Sequence, residues 1–328
     1  MKKLFLIIII CIILLISLIL IFKKDKKQEN YTTIRVGEVT HSVFYAPFYV
    51  AIEKGYFKDE GLKLDVSMIS GANNVTAAVL SGDIDIGFCG PEATIYVYNG
   101  GENDYIRSFA GLTKRDGQFL VSRNKIKDFN WNMLKGKEVL AGRIAGMPEL
   151  NFENALKNEK ISKTDVKINT SVDFASLTSA FLSGTGDFVN LFEPNATKLE
   201  KEGLGYIVAS IGEKSGEMPY TTFNARKSFI NKNKKDVEKF TNAISKGLKF
   251  TKNNNPKEIA EVISPQFKDI SYEDLVRIVE NYKNADSWLD TPYIEKQLFE
   301  NLEDIMIDSK QITDYVPYND LVDNAYKK

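Results

Sequence analysis

Apolar and polar residues alternate with a period of two along Thr33–Val39, Leu62–Met68 and Asp83–Phe88. This pattern predicts three short strands. Tyr45–Lys54 carries its apolar residues at helical spacing and stops at Gly55, a suitable residue just past a helix end. Val75–Ser81 reads as a second helix with Asn73 or Asn74 as its N-cap. Gly90-Pro91 closes the third strand, and Glu92–Ile95 opens a third helix with Pro91 near its first position. The order β-α-β-α-β-α predicts an α/β fold with parallel pairing and right-handed crossovers. Ligands of such sheets gather at the carboxyl ends of the strands, where helix N-termini present unpaired N–H groups. Thr40-His41-Ser42, Asn73-Asn74 and Pro91-Glu92 should therefore share one edge.

A second, similar half follows. Tyr105–Leu112, Gln118–Ser122 and Glu138–Gly142 are extended. A helix opens at Gly146-Met147-Pro148-Glu149 and runs to about Asn158. Val166–Asn169 is a strand, Phe174–Ser183 a helix and Gly186–Phe192 a strand closed by Glu193-Pro194. Leu182-Ser183-Gly184 matches Leu80-Ser81-Gly82, and Phe192-Glu193-Pro194 stands where Gly90-Pro91-Glu92 stands. Ile207–Ala209 and Tyr220–Asn224 are further strands, the second returning the chain to the first half. From Lys234 onward the spacing is helical, over Lys234–Lys252, Pro256–Ile263, Tyr272–Tyr282 and Tyr293–Asp308. These helices read as a peripheral tail with solvated Lys/Glu faces.

Charge and composition narrow the class. Residues 1–27 carry six Lys and one Asp, so the rest of the chain is acidic and offers no nucleic-acid footprint. Leu4–Phe22 is apolar apart from Cys11 and Ser17, long enough at about 28 Å to match a bilayer core. No A-x-A-like cleavage site follows it, so a retained signal-anchor over residues 4–22 is expected, with secretion the outcome if it is cleaved. Ile10 and Ile8 stand where a lipoprotein site at Cys11 would need other residues. Cys89 is the one cysteine of the folded part and His41 the one histidine, which excludes a disulfide framework and a histidine-based metal cluster. Asp83 and Asp85 share one strand face and read as structural.

The run from Tyr45 to Ala51 (YAPFYVA) resembles a known family. So do Glu53-Lys54-Gly55-Tyr56-Phe57, Glu60-Gly61-Leu62, Leu80–Gly87 and Gly90–Ala93. The family is the solute-binding component of bacterial ABC importers, in the group for nitrate, sulfonates, taurine and thiamine-pyrimidine precursors. The resemblance covers roughly residues 34–260 and includes Leu134–Lys137 and Phe192-Glu193-Pro194. It implies a type II periplasmic-binding-protein fold, with two α/β lobes, a cleft and hinge crossings. Residues 28–116 and 221–328 would form lobe one with the C-terminal helices, and residues 117–220 lobe two. It also implies no cofactor and no catalysis. The partners would be a small solute, a membrane permease and its ATPase, at the extracellular face of the cell membrane.

In that frame the cleft draws on post-strand loops and helix N-termini of both lobes. Lobe one offers Thr40, His41, Ser42, Tyr45, Asn73, Asn74, Pro91 and Glu92. Lobe two offers Gly146, Met147, Glu149, Phe192 and Glu193, and Arg115 and Asp116 lie at the hinge. Glu193 is the strongest binding candidate. Three glutamates (Glu92, Glu149, Glu193) against one arginine (Arg115) favour a nitrogen-containing solute over nitrate. Tyr45, Phe192 and Tyr220 are placed to stack on a flat ring. This puts an aminopyrimidine thiamine precursor ahead of a taurine- or sulfonate-like ligand.

Two other classes compete. The resembling family includes fungal pyrimidine-synthesising proteins with a cysteine-rich iron site, which one histidine and one domain cysteine cannot build. An extracellular sensor of the same fold would normally continue into a second membrane span, and no second long apolar run occurs.

Overall fold

The computed structural model describes residues 31–324. The expected anchor at residues 4–22 and Cys11 lie outside the described residues. Among the described residues no helix is long and apolar enough to cross a membrane.

Ten strands form two five-stranded sheets of the same design. They are β1 (Thr32–Glu38), β2 (Leu62–Met68), β3 (Ile86–Cys89), β4 (Ile106–Thr113), β5 (Phe119–Ser122), β6 (Glu138–Leu140), β7 (Lys167–Asn169), β8 (Phe188–Leu191), β9 (Tyr206–Ser210) and β10 (Thr221–Arg226). The first sheet has the order β2-β1-β3-β10-β4 and the second β7-β6-β8-β5-β9. In each, the first three strands are parallel and the fourth runs antiparallel to its neighbours. β3 and β8, the strands of the two matching sequence segments, hold the same central position. The chain leaves the first sheet after β4 and comes back to it with β10. The segments between Thr113 and Phe119 and between Ser210 and Thr221 therefore join the two lobes.

Register follows the apolar pattern. Val36 aligns with Val66 on one side and Ile86 on the other, and Phe223 stacks on Phe88 at 4.2 Å and 9°. The Lys234–Asn253 helix buries Val237, Phe240, Thr241, Ile244, Gly247, Leu248 and Thr251, one stripe of its surface. That stripe packs on the Ala46–Glu53 helix. Gly247 is required there, because a Cβ would collide with the carbonyl oxygen of Pro47.

Two local expectations change. The second helix is Ala72–Ser81, capped by Gly71 at φ 92°, so Asn73 and Asn74 lie inside its first turn and are not its N-cap. Pro91 is itself the N-cap of the Glu92–Asn99 helix, one position earlier than expected.

The C-terminal helices are not a peripheral tail. Tyr282 is fully buried and Trp288 donates its indole N–H to the carbonyl of Phe44 at 2.8 Å. The Tyr272–Asn284 helix also reaches the second lobe, where Arg277 pairs with Glu200 at 3.1 Å and Asp274 with Lys201 at 2.6 Å. Its apolar face, with Leu275, Ile278 and Val279, belongs to the main core.

Candidate functional site

The carboxyl ends of β1 and β3 face those of β6 and β8 across a cleft. After β1 the chain turns through Thr40-His41-Ser42. Ser42 caps the short turn Val43–Tyr45, accepting from the Phe44 N–H at 3.2 Å. The same hydroxyl donates to the carbonyl of Glu193 at 3.0 Å, which ties the two lobes. His41 bonds through Nδ1 to Glu38 at 2.8 Å and through Nε2 to the Gln266 carbonyl at 3.1 Å. The hydrogen bond to Glu38 raises its pKa above the ordinary histidine value.

After β3, Pro91 starts the Glu92–Asn99 helix and aims Glu92 into the cleft. Glu92 is 2% exposed. Burial pushes its carboxyl up to about 7. The charge of Arg143 and the N–H groups of Glu92, Ala93 and Met147 oppose this and favour ionisation. Oε2 has no hydrogen-bond partner among the described residues. A buried carboxyl oxygen left open in this way is costly unless something donates to it.

After β6, a loop with Gly142 at φ 93° and Ala145 at φ 60° carries Arg143 into the cleft and delivers the chain to the Met147–Asn158 helix. Tyr96 of the first lobe grips this loop, donating its hydroxyl to the Ala145 carbonyl at 3.0 Å. The two lobes thus enclose a cavity of about 80 Å³. Its walls include Thr40, Tyr45 and Glu92 from one side and Arg143, Gly146, Met147 and Phe192 from the other. Phe174, Tyr220 and Thr221 complete it, with Gly71, Ala72 and Gly90 where the backbone itself forms the wall. A wider cavity of about 220 Å³ adjoins it and shares Val39, Thr40, Phe174 and Phe192. His41, Ser42 and Glu193 line that second space.

The structure sorts the candidates. Thr40, Tyr45, Glu92, Gly146, Met147 and Phe192 meet at the enclosed cavity. Asn73 and Asn74 are exposed and bond to each other and to the Ser70 carbonyl, while Gly71 and Ala72 reach the wall instead. Pro91 is buried beneath the site and takes hydrogen bonds from Thr94. Glu149 turns back to the Ala145 N–H at 3.1 Å, and burial followed by the charge of Glu153 raises it to about 7. Arg115 pairs with Glu217 at 2.7 Å. Asp116, 1% exposed, accepts from the Gln118 N–H at 2.6 Å and is raised by burial to about 8.

Glu193 departs most from expectation. Its carboxylate accepts from the Thr197 N–H at 2.8 Å, the Thr197 hydroxyl at 2.7 Å and the Asn281 amide at 3.1 Å. Both oxygens are thus occupied in holding the first turn of the Asn195–Lys201 helix. The count of three glutamates against Arg115 is therefore replaced by one glutamate, Glu92, facing one arginine, Arg143. Arg143 was missed because a single arginine in a loop carries no spacing signal; only the flanking Gly142 and Gly146 hint at a tight backbone. Cys89 is buried beside Asn224, and burial raises its thiol pKa. Asp85 is paired with Arg35 at 2.7 Å.

Comparison with known proteins agrees with this architecture. Residues 43–259 match the family described as NMT1/THI5 like. "Putative binding protein YtlA" of Bacillus subtilis (strain 168) is 43% identical over 298 residues, covering 90% of this chain and 89% of its own length. Solved structures of low sequence identity share the fold. The alkanesulfonate-binding protein SsuA from Xanthomonas axonopodis pv. citri, bound to MOPS, aligns with a TM-score of 0.70 at 13% identity, over 89% of this chain and 98% of its own. The ligand-binding component of an ABC-type import system from Staphylococcus aureus aligns with a TM-score of 0.71 at 16% identity, over 90% and 97%. The relative matched over most of the chain and both of these structures are named as binding proteins. With its paired five-stranded sheets and interlobe cleft, the chain belongs to the NMT1/THI5-like family and has the type II periplasmic-binding-protein fold.

Proposed function

We propose that this chain is the extracytoplasmic solute-binding component of an ABC import system. It captures a small nitrogen-containing solute in the interlobe cleft and delivers it to a membrane permease. The observation that carries this reading is the open Oε2 of buried Glu92 in a cavity walled by both lobes. A solute there touches both lobes at once and stabilises the closed form by its differential affinity. Residues 4–22 would hold the protein at the outer face of the membrane, near its permease.

Two ligand classes fit one carboxylate among aromatic walls. An aminopyrimidine presents N–H donors to Glu92 and a flat face to Tyr45, Phe192 and Tyr220. A taurine-like aminosulfonate is favoured by Arg143, which the sequence did not reveal. Calorimetric titration of the full chain with hydroxymethylpyrimidine, taurine, alkanesulfonates and nitrate tests the reading. Binding of the nitrogen-bearing organic solutes is expected. Binding of nitrate alone overturns the role given to Glu92.

A further inference from the structure

At the amino end of β1 the Thr32 N–H donates to the Gly61 carbonyl at 3.0 Å. This end is the base of the first lobe, and the cleft lies at the carboxyl end of the same strand. The Lys234–Asn253 helix passes beside the base. A Cβ on Gly61 would stand 3.9 Å from Lys239 Nζ, and Lys246 pairs with Glu60 at 2.7 Å.

With Val237, Phe240, Ile244 and Leu248 turned into the core, the opposite side of that helix carries Lys235, Lys239, Lys246 and Lys249. Their spacing keeps them on one stripe, about 21 Å long at about 1.5 Å per residue. Lys58 and Lys63, both exposed, extend the positive charge to the entry of β1. Asp236 pairs with Lys239 as Glu60 does with Lys246. Lys58, Lys63, Lys235 and Lys249 have no ion pair among the described residues. The exposed Asp59 and Glu238 offset only part of their charge. A basic stripe on an otherwise acidic body is a charge pattern with no partner inside the fold.

The preceding residues say what lies nearest to it. Residues 23–30, KKDKKQEN, span at most about 28 Å when fully extended. On the reading under which residues 4–22 sit in the membrane, the entry of β1 is held within that distance of the lipid headgroups. We propose that the stripe, with Lys58 and Lys63, seats the first lobe on an anionic lipid surface. Each lysine brought near such a surface is worth roughly fivefold in binding, and the attraction fades beyond a Debye length of about 8 Å. Tethering supplies the local concentration that makes so short-ranged an attraction effective. Lipid and solute then meet opposite ends of β1, so seating leaves the cleft free.

The test is lysine footprinting of the full chain reconstituted in vesicles of phosphatidylcholine, alone or mixed with phosphatidylglycerol. An amine-acylating reagent is added and its products are mapped by mass spectrometry. Lys58, Lys235 and Lys249 should react roughly fivefold more slowly in the anionic vesicles, and about 1 M salt should abolish the difference. Lys160 of the second lobe, also exposed, should react alike in both. Lys235→Gln combined with Lys249→Gln, both outside the core, should remove most of the protection at Lys58. Equal rates in the two vesicle types overturn the proposal, as does protection that persists in full in salt or in the double variant. Equal protection of Lys160 overturns it too, because the whole molecule then responds to the surface. Extraction with alkaline carbonate checks the membrane reading separately. Release from the vesicles sinks that reading and the seating with it, whereas retention without protection sinks the seating alone.

Discussion

The hydroxyl of Ser42 donates to the main-chain carbonyl of Glu193 at 3.0 Å, joining a first-lobe turn to the end of a second-lobe strand. Both residues are buried, so this hydrogen bond lies inside the contact between the lobes. Ser42→Ala removes it together with the cap on the Phe44 N–H. The loss is about 1 kcal/mol, or roughly fivefold in the balance between closed and open forms. Solution scattering of the unliganded variant should show a larger radius of gyration, and ligand affinity should fall by a similar factor. An unchanged radius and affinity would remove Ser42 from the closing contacts.

Glu193→Ala addresses stability before binding. It strips the acceptor from Thr197 N–H, the Thr197 hydroxyl and the Asn281 amide. Leaving such buried donors unmatched costs about 2–4 kcal/mol. Thermal unfolding should shift down by several degrees, and Glu193→Gln, which keeps one carbonyl acceptor, should recover part of the loss. A variant with wild-type stability and lost ligand binding would return Glu193 to the ligand.

Acid should stabilise the unliganded protein over a defined window. Glu92 and Glu149 are raised to about 7 and Asp116 to about 8, in each case chiefly by burial. Unfolding exposes them, and they then ionise near the usual carboxylate range of roughly 4. Between these limits the folded chain holds more protons, so stability falls as pH rises from about 4 toward 8 and then levels. His41, raised by Glu38, acts in the same direction because its proton is also held more tightly in the fold. The unfolding midpoint should therefore be higher at pH 5.5 than at pH 8, and Asp116→Asn should flatten the slope. A midpoint that climbs with pH across this range would contradict the assignment.

Gly247→Ala is expected to be among the most damaging single-methyl changes. The added Cβ meets the Pro47 carbonyl oxygen, which belongs to backbone and cannot swing aside. Overpacking at such a helix contact costs about 1–3 kcal/mol. Urea denaturation should show a lower midpoint at an unchanged slope, whereas Gly101→Ala, with nothing near its Cβ but a φ of 80°, should cost less.

Much of this was legible in the residues. Leu62–Met68 and Pro256–Ile263 begin and end where alternation, turn glycine and proline place them. The likeness of Leu182–Pro194 to Leu80–Glu92 foreshadowed two strands with the same central position. Other features depend on contacts far apart in sequence. The amphipathic stripe of Tyr272–Asn284 says that one face is buried, but not that Tyr282 would reach Phe44 and the Glu193 N–H. Glu193 looked free because nothing in a Glu-Pro pair tells that its side chain folds onto the N–H four residues later. Arg143 became visible only when the lobes were brought together.

The Tyr272–Asn284 helix has a consequence for motion. It packs in the core with the first lobe while Asn281, Arg277 and Asp274 hold Glu193, Glu200 and Lys201 of the second. The lobes are thus connected twice by covalent chain, and this helix adds a strut to the contacts made by Ser42 and Tyr96. Opening of the lobes must break these contacts or carry the helix away from the first-lobe core. The helix also places exchangeable surface ion pairs, such as Lys201–Asp274, where they can set how far the mouth swings at rest.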